Sequence, residues 1–305
     1  MRILIIGASS FLGGRLRPVV SAAGHTVLTA GRSGGWDLRL DLAKDPAGRV
    51  GGLIASAAPD VVINCAGATA GAAEALAAAN ITAVHTLVTA LLAWPLAGPD
   101  GSPGREARRS PRLVHIGSAA EYGAVPAGLP VTEDAVPRPA GLYGATKLGG
   151  TRLVELARSA GADAVVLRLF NVVGAGSPGS TLPGAAVAQL RQGGGLRLGP
   201  LDAVRDFVDA RDAADAVLAA AVAPSLPHAI VNIGSGTGVA ARVLVRQLLS
   251  VAGLDVTVHE DAPGSARSAG LGWQRADISR ACADLGWRPR RDLADSVRDL
   301  WDGAP

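Results

Sequence analysis

Residues 3–16, ILIIGASSFLGGRL, decide the fold. Ile3–Ile6 is a continuous apolar run of the kind found in strands covered on both faces. Gly7 permits a tight turn, the stretch from Phe11 is helical, and Gly13 lets that helix lie close to the strand. A helix that begins this way presents unpaired N–H groups and the positive end of its dipole, which suits a pyrophosphate. The glycine spacing is G-x-x-x-x-x-G, with Ser10 where a G-x-x-G-x-x-G pattern has its middle glycine. Ser9 and Ser10 carry hydroxyls that can donate to phosphate. Gly7, Ser9, Ser10, Phe11, Leu12 and Gly13 are the candidate turn residues. A glycine-rich turn with no ligand reads the same locally, so the rest of the chain has to decide.

Working outward, apolar runs alternate with helical stretches. Strands are expected at Ile3–Ile6, Thr26–Thr29, Val61–Asn64, Leu113–Ile116, Val165–Leu169 and Ile230–Ile233. Helices are expected at Phe11–Ala23, Ala72–Leu92, Tyr143–Ser159, Ala213–Ala223 and Ala240–Ala252. The alternation predicts an α/β fold with a doubly wound parallel sheet. After about residue 171 the rhythm loosens and Gly/Pro-rich loops increase, as for a smaller second lobe. The expected division is a nucleotide-binding domain over 1–170 and a lobe over 171–305, with part of 205–235 returning to the sheet. Ala97–Pro111 reads as a surface loop.

Composition narrows the classes. In 305 residues, 29 Lys and Arg stand against 26 Asp and Glu, a net charge of +3, and no basic block is interleaved with aromatics, so nucleic-acid binding is not expected. Apolar residues make up 49% and aromatics 3%, which suits a large core packed with small side chains. Cys65 and Cys282 match no metal or disulfide spacing, so a reducing cytoplasm is expected and no metal. The apolar run after Met1-Arg2 is too short for a signal-peptide core. Ile81–Gly98 is interrupted by Thr82, His85, Thr86 and Thr89 and broken by Pro95, so it reads as a buried helix, not a membrane span.

Two further stretches carry chemistry. TAGRSGG at 29–35 places Arg32 and Ser33 where an acidic residue would bind an adenosine ribose 2′-hydroxyl. A cation there suits a 2′-phosphate, so NADP(H) is favoured, with NAD(H) the alternative. LYGATKLGG at 142–150 sets Tyr143 and Lys147 four apart, on one helix face. A phenol is a weak acid–base near neutrality, and a nearby ammonium favours its phenolate.

With these residues in view, the chain resembles the extended short-chain dehydrogenase/reductase family, in its nucleotide-sugar epimerase/dehydratase/reductase branch. The resemblance covers nearly the whole chain. It adds Asp41-Leu42, NCAG at 64–67, Asn80, HIGSAAEYG at 115–123, LRLFNVVGAG at 167–176, RDFVDARDAADA at 205–216, VNIGSGTG at 231–238 and ADISRACADLGWRP at 276–289. It implies a Rossmann sheet and an NAD(P) site that includes Asp41, Leu42, Ala66, Gly67 and Asn80. It makes Tyr143 the acid–base, with Lys147 holding the nicotinamide ribose and tuning Tyr143. Ser118, four residues before Tyr122, is the matching hydroxyl that would orient the sugar oxygen. For substrate, it implies Asn171, Thr181 and Leu182, with Arg205 and Arg267 on the diphosphate and Arg275 competing for the second role. A homodimer packed through Ala72–Leu92 and Tyr143–Ser159 follows by analogy only.

Plainer readings stand beside these. Arg205-Asp206 could be a local ion pair, Asn171 a turn-former, and Asn80 a helix interruption. His115 reads as a core histidine, Cys65 as a small filler, and Trp287 as C-terminal packing. Among reactions, dehydratases resemble one another in carrying polar groups just after the hydroxyl, where this chain has Ala119 and Ala120. Glu121, one position later, is expected on the opposite face of an extended segment. Arg32 then favours an NADPH-dependent 4-ketoreductase acting on a nucleotide-linked 4-keto-6-deoxyhexose, with dTDP the expected nucleotide. The alternatives are an NAD-dependent nucleotide-sugar 4-epimerase, a reductase of non-nucleotide carbonyls, and a non-catalytic NADP-binding scaffold or sensor.

Overall fold

The computed structural model describes residues 1–94, 110–263 and 271–303. Its N-terminal half winds strand and helix in alternation: β1 (Arg2–Ile6), α1 (Phe11–Ala22), β2 (Thr26–Gly31), β3 (Leu38–Arg39), α2 (Ala47–Ala57) and β4 (Val61–Asn64). Then come α3 (Ala73–Ala77), a π turn (Ala78–Thr82), α4 (Ala83–Leu92), β5 (Arg112–Ser118), a 3₁₀ turn (Ala119–Glu121), α5 (Leu142–Ser159) and β6 (Ala164–Leu169). The second half holds β7 (Asn171–Val173), α6 (Leu182–Arg191), β8 (Leu196–Arg197), β9 (Val204–Asp209), α7 (Ala210–Val222) and β10 (Ile230–Ile233). It ends with β11 (Gly238–Ala240), α8 (Ala241–Ala252), β12 (Val258–His259), β13 (Trp273–Gln274), α9 (Ser279–Leu285) and α10 (Leu293–Asp302).

The central sheet has seven parallel strands in the order β10-β6-β5-β4-β1-β2-β3. Its strands are largely apolar because successive side chains enter different cores. Ile3, Ile5, Val61, Ile63, Val165 and Leu167 face the α1/α7 layer. Leu4, Ile6, Val62, Ala164 and Val166 face the α2/α4/α5 layer. The inner face of α7 is Ala213, Ala214, Ala216, Val217, Ala220 and Ala221, all fully buried, so that helix can lie close to α1. That is where the alanine-rich, aromatic-poor composition is used.

The expected single helix Ala72–Leu92 differs in detail, because a π turn interrupts it. Its apolar face, including Leu76, Val84, Leu87, Val88 and Leu91, is buried in the core beside α2 and α5. By length and composition alone this helix could cross a membrane.

A smaller lobe gathers α6, α8 and α10 around Val187, Leu190, Leu244, Leu248, Val297 and Leu300. Beside it, β9 pairs with β7, β11 and β13. Helix α10 starts on a reciprocal cap between Asp292 and Asp295. The loop expected at Ala97–Pro111 lies outside the described residues as far as position 109.

Helix α5 touches backbone at Gly150, where an added Cβ would stand 2.5 Å from the carbonyl oxygen of Asn80. At Gly14, on an exposed face of α1, a Cβ would meet nothing closer than 3.7 Å. Glycine costs a helix about 1 kcal/mol relative to alanine. Gly14→Ala is therefore expected to raise the denaturant midpoint. Gly150→Ala is expected to lower stability by about 1–3 kcal/mol, because overpacking exceeds that gain. Equal midpoint shifts in the two variants would contradict the contact at Asn80.

Candidate active site

The turn after β1 is built on two close approaches. Gly7 has φ +80°, and a Cβ there would lie 2.7 Å from the amide nitrogen of Ala66; one at Gly13 would lie 2.2 Å from the Gly7 carbonyl oxygen. Ser10, the departure from glycine, is the N-cap of α1: its Oγ accepts the Gly13 N–H at 3.1 Å. That leaves the serine proton, and the first N–H groups of the helix at Phe11 and Leu12, for an anion. Ser9 is exposed beside them, and the Arg15 guanidinium lies 5.3 Å over the Phe11 ring. This cradle, closed to any side chain at Gly7 and Gly13, fits a pyrophosphate.

At the end of β2, the Trp36 indole covers Gly31 and donates to the Ser33 hydroxyl at 3.3 Å. Arg32, Arg39, Lys44 and Arg49 line a half-open cavity of about 480 Å³ with Leu40, Asp41 and Asp45. The acids are already committed. Asp45 pairs with Arg49 at 3.1 Å and accepts the Asp41 N–H at 2.7 Å, while Asp41 Oδ1 accepts the Ala43 N–H at 3.0 Å. Among the described residues, Arg32, Arg39 and Lys44 have no acidic partner. The cavity is thus lined by three cations that have no acidic partner among the described residues. Arg39 and Lys44 were missed from sequence, although both flank the Asp41-Leu42 pair. Leu42 itself is buried in the core.

Asn80 joins strand, loop and helix. The π turn directs its side chain inward, where it is 1% exposed. Its Oδ1 accepts the Ala68 N–H at 3.0 Å, and its Nδ2 donates to the Ala68 carbonyl at 2.9 Å and to Thr146 Oγ1 at 3.1 Å. The Thr146 hydroxyl donates to the Tyr143 carbonyl at 3.0 Å. A Cβ on Gly67 would stand 2.9 Å from Asn80 Oδ1 and 3.9 Å from Lys147 Nζ. Gly67 therefore faces Asn80 and the Lys147 ammonium without a side chain in the way.

Ser118 closes β5 and caps the 3₁₀ turn, its Oγ accepting the Ala120 N–H at 3.2 Å. Helix α5 runs across this segment. Gly144 abuts the Ala120 carbonyl, where a Cβ would lie 2.4 Å away, and Lys147 Nζ donates to the Ile116 carbonyl at 2.5 Å. Ser118 lies in the chain between those two contacts, on the segment that α5 crosses. Gln274 of β13 donates to the Ala119 carbonyl at 2.7 Å.

One expectation is corrected. The chain is not extended after Ser118; it turns, and Glu121 folds back beneath the strand. Its Oε1 accepts the Ser118 N–H at 2.8 Å, and its Oε2 pairs with Arg168 at 2.8 Å, both side chains being fully buried. Ala119 and Ala120 present only methyl groups. Tyr122 is buried and donates to Asn232 Oδ1 at 2.7 Å. Burial raises its phenol to about 12, against the pull of Arg168, so it holds its proton.

In the second lobe, Asn171 donates to the Asp206 carbonyl at 2.9 Å. Thr181 is the N-cap of α6, accepting the Gly184 N–H at 3.3 Å and donating to the Pro178 carbonyl at 2.7 Å; Leu182 begins the helix. Arg205 and Asp206 do not pair. Arg205 donates to the carbonyls of Val204 and Leu271, and burial lowers its pKa. Asp206 accepts N–H groups of Ser235, Gly236 and Ala276 and the Ser235 hydroxyl. Arg267 lies outside the described residues. Leu271 and Arg275, on the near side of that segment, flank the Arg205 region, and Arg275 Nε is buried without a partner among the described residues.

Burial dominates the ionisation of Cys65 and His115. Burial pushes the Cys65 thiol up to about 12, outweighing the favourable charge of Lys147. His115 is held well below its ordinary 6.5, first by burial and then by Lys147. Its Nδ1 lies 3.2 Å from Asn64 Nδ2, and its Nε2 has no partner among the described residues. No group of three or more metal-ligating side chains occurs among the described residues.

Over residues 3–234 the sequence matches the NAD dependent epimerase/dehydratase family. The chain belongs to that family. It is 36% identical over 314 residues to the dTDP-6-deoxy-L-talose 4-dehydrogenase (NAD(P)(+)) of Kitasatospora kifunensis, covering 98% of this chain and 94% of that protein. It is 28% identical over 313 residues to the GDP-6-deoxy-D-mannose reductase of Pseudomonas aeruginosa, covering 98% and 95%. The structure of RMD from Pseudomonas aeruginosa complexed with NADPH superposes with a TM-score of 0.81 at 25% identity, over 99% of this chain and 98% of that one. The extended short-chain dehydrogenase/reductase resemblance is thereby established, and this family member is a nucleotide-sugar-modifying, NAD(P)-dependent enzyme. The expected cofactor, NADP(H) with NAD(H) as the alternative, agrees with these relatives.

The cationic cavity makes one prediction. Arg32→Glu should weaken NADPH binding by about 10- to 100-fold while leaving NADH nearly unaffected. Equal losses for both cofactors, by fluorescence titration, would remove Arg32 from the 2′-phosphate. His115 makes another. The unfolded chain protonates this ring below about 6.5 and the folded chain does not, so acidification through that range favours unfolding. His115→Gln should flatten the fall in unfolding free energy between pH 7 and 5, and an unchanged slope would contradict it.

Proposed function

We propose that this enzyme reduces the 4-keto group of a nucleotide-linked, dTDP-linked, 4-keto-6-deoxyhexose at the expense of NADPH. The observation that carries the reading is the Ser118 turn beneath α5: a hydroxyl beside the Tyr143/Lys147 face, followed by two methyl groups where a dehydratase needs an acid and a base. The talose 4-dehydrogenase, whose name gives a dTDP-linked 6-deoxyhexose as substrate, and the mannose reductase each match over nearly the full chain, the substrate lobe included.

Residues 1–170 bind the cofactor and carry the reacting groups, and residues 171–305 receive the nucleotide sugar, with β10 serving the first unit. The α1 turn at Gly7–Gly13 takes the pyrophosphate, and Arg32, Arg39 and Lys44 take the 2′-phosphate. Bound NADPH supplies the hydride for the keto carbon. Ser118 donates a hydrogen bond to the keto oxygen and orients it. Tyr143 delivers a proton to that oxygen as it gains charge, and the Lys147 ammonium holds the nicotinamide ribose and favours the phenolate left behind. Arg205 and Arg267 hold the diphosphate from the second lobe, with Asn171, Thr181 and Leu182 along the sugar nucleotide.

The test is oxidation of NADPH by the purified protein against a dTDP-4-keto-6-deoxyhexose. Tyr143→Phe should lower kcat by about 100- to 10,000-fold, with NADPH affinity unchanged. Interconversion of intact UDP- or dTDP-hexoses without net NADPH loss would make the enzyme an epimerase instead. Cofactor binding with no turnover of either kind would leave only a scaffold.

A further inference from the structure

We infer that Glu121 and Arg168 form a buried positioning device for Ser118, acting on the reacting hydroxyl through the Ser118 backbone. The proposal rests on the function above only in its choice of assay, since Ser118 serves hydride chemistry in either direction.

Three observations lead to it. First, both oxygens of Glu121 accept from N–H donors: Ser118 N–H on Oε1 and Arg168 Nε–H on Oε2, each at 2.8 Å. Only a carboxylate can satisfy both, because a carboxamide of the same shape has one acceptor and one donor end. Second, the pair is dry, with Arg168 1% and Glu121 0% exposed. The attraction of a buried pair often fails to offset its desolvation, so stability alone is a poor reason for it. Third, the surroundings are shaped to hold it. Arg168 stands on β6 opposite Gly117, and its guanidinium lies 4.6 Å over the Tyr122 ring. A Cβ on Gly117 would come within 2.9 Å of Glu121 Oε1 and 2.8 Å of the Val166 side chain. Gly117 therefore leaves the carboxylate its place directly under Ser118.

The consequence is a fixed backbone at the last residue of β5. Ser118 N–H is tied to Glu121, Glu121 to Arg168, and Arg168 to the next strand. With the backbone held this way, the Ser118 hydroxyl keeps one direction relative to α5. A misplacement of about 1 Å at a reacting group can cost on the order of 100-fold in rate.

The experiment compares Glu121→Gln, Glu121→Gln/Arg168→Met, Ser118→Ala and Ser118→Ala/Glu121→Gln as full-length proteins. In Glu121→Gln the amide meets one of the two donors, and kcat should fall by about 10- to 100-fold with KM and NADPH affinity near wild type. Adding Arg168→Met removes the competing donor, lets the Gln carbonyl accept from Ser118, and should restore most of the loss. In the Ser118→Ala background, Glu121→Gln should cost nothing further, because its effect passes through that hydroxyl. Amide hydrogen exchange at Ser118, read on the chain without substrate, should quicken in Glu121→Gln and slow again in the Glu121→Gln/Arg168→Met protein.

A Glu121→Gln enzyme with wild-type kcat would overturn the proposal. So would multiplicative losses in the double variant with Ser118→Ala, or unchanged exchange at Ser118. If the wild type does not oxidise NADPH with the 4-keto sugar, the ketoreductase reading fails by itself. The same variants are then compared in hexose interconversion, and the exchange measurement stands in either case.

Discussion

The structure depends on how closely α5 lies against two stretches of backbone. Gly144 meets the carbonyl of Ala120 and Gly150 meets that of Asn80, and at neither place is there room for a methyl group. The two contacts are six residues apart, about 9 Å along a helix, so the helix is pinned on either side of Lys147, with Tyr143 one residue before the first contact. Within that span Lys147 reaches back to the Ile116 carbonyl and Thr146 is tied to Asn80. The position of the two candidate catalytic side chains thus follows from glycine packing and one inward-facing asparagine. The π turn has the same origin: it is the local distortion that lets Asn80 bond both the β4 loop and α5.

Buried charge is arranged on a common plan in the rest of the molecule. Each interior carboxylate is met by several donors drawn from separate parts of the chain. Asp206 collects Ser235, Gly236 and Ala276, and burial still raises its pKa against those bonds. Asp212 accepts the N–H groups of Arg290 and Arg291 and pairs with the Arg291 side chain, anchoring the approach to α10. These acids fasten loops that have no strand or helix ladder of their own. They also fasten the smaller lobe to the sheet, and Gln274 extends that attachment to the Ser118 turn.

Much of this was legible in the sequence, and the legible part is local. The apolar runs and the strand–helix alternation place all six expected strands of the central sheet. The Gly7–Gly13 turn and the Tyr143/Lys147 spacing are read within a few residues, whereas the Ser10 cap came from the structure. The second lobe was harder, because β8, β12 and β13 are two residues long and carry no period, while β9 mixes Arg205, Asp206 and Asp209 into an apolar run. Glu121 was read as facing away because an extended strand was assumed where the chain turns. Its partner Arg168 lies 47 residues on, and Gln274 lies 155 from Ala119, separations at which pattern carries no information.

By itself, the sequence determined the fold class and the strand–helix alternation of the central sheet, because both are encoded in period along the chain; the glycine turn and the Tyr143/Lys147 spacing are local patterns, and Ser118 came from the family resemblance. Only the tertiary structure decided which charges are buried, what each is bonded to, and that Arg39 and Lys44 join Arg32 around one cavity. Those outcomes depend on which strands become neighbours and how near their helices approach, and both are settled when the two cores close on the sheet.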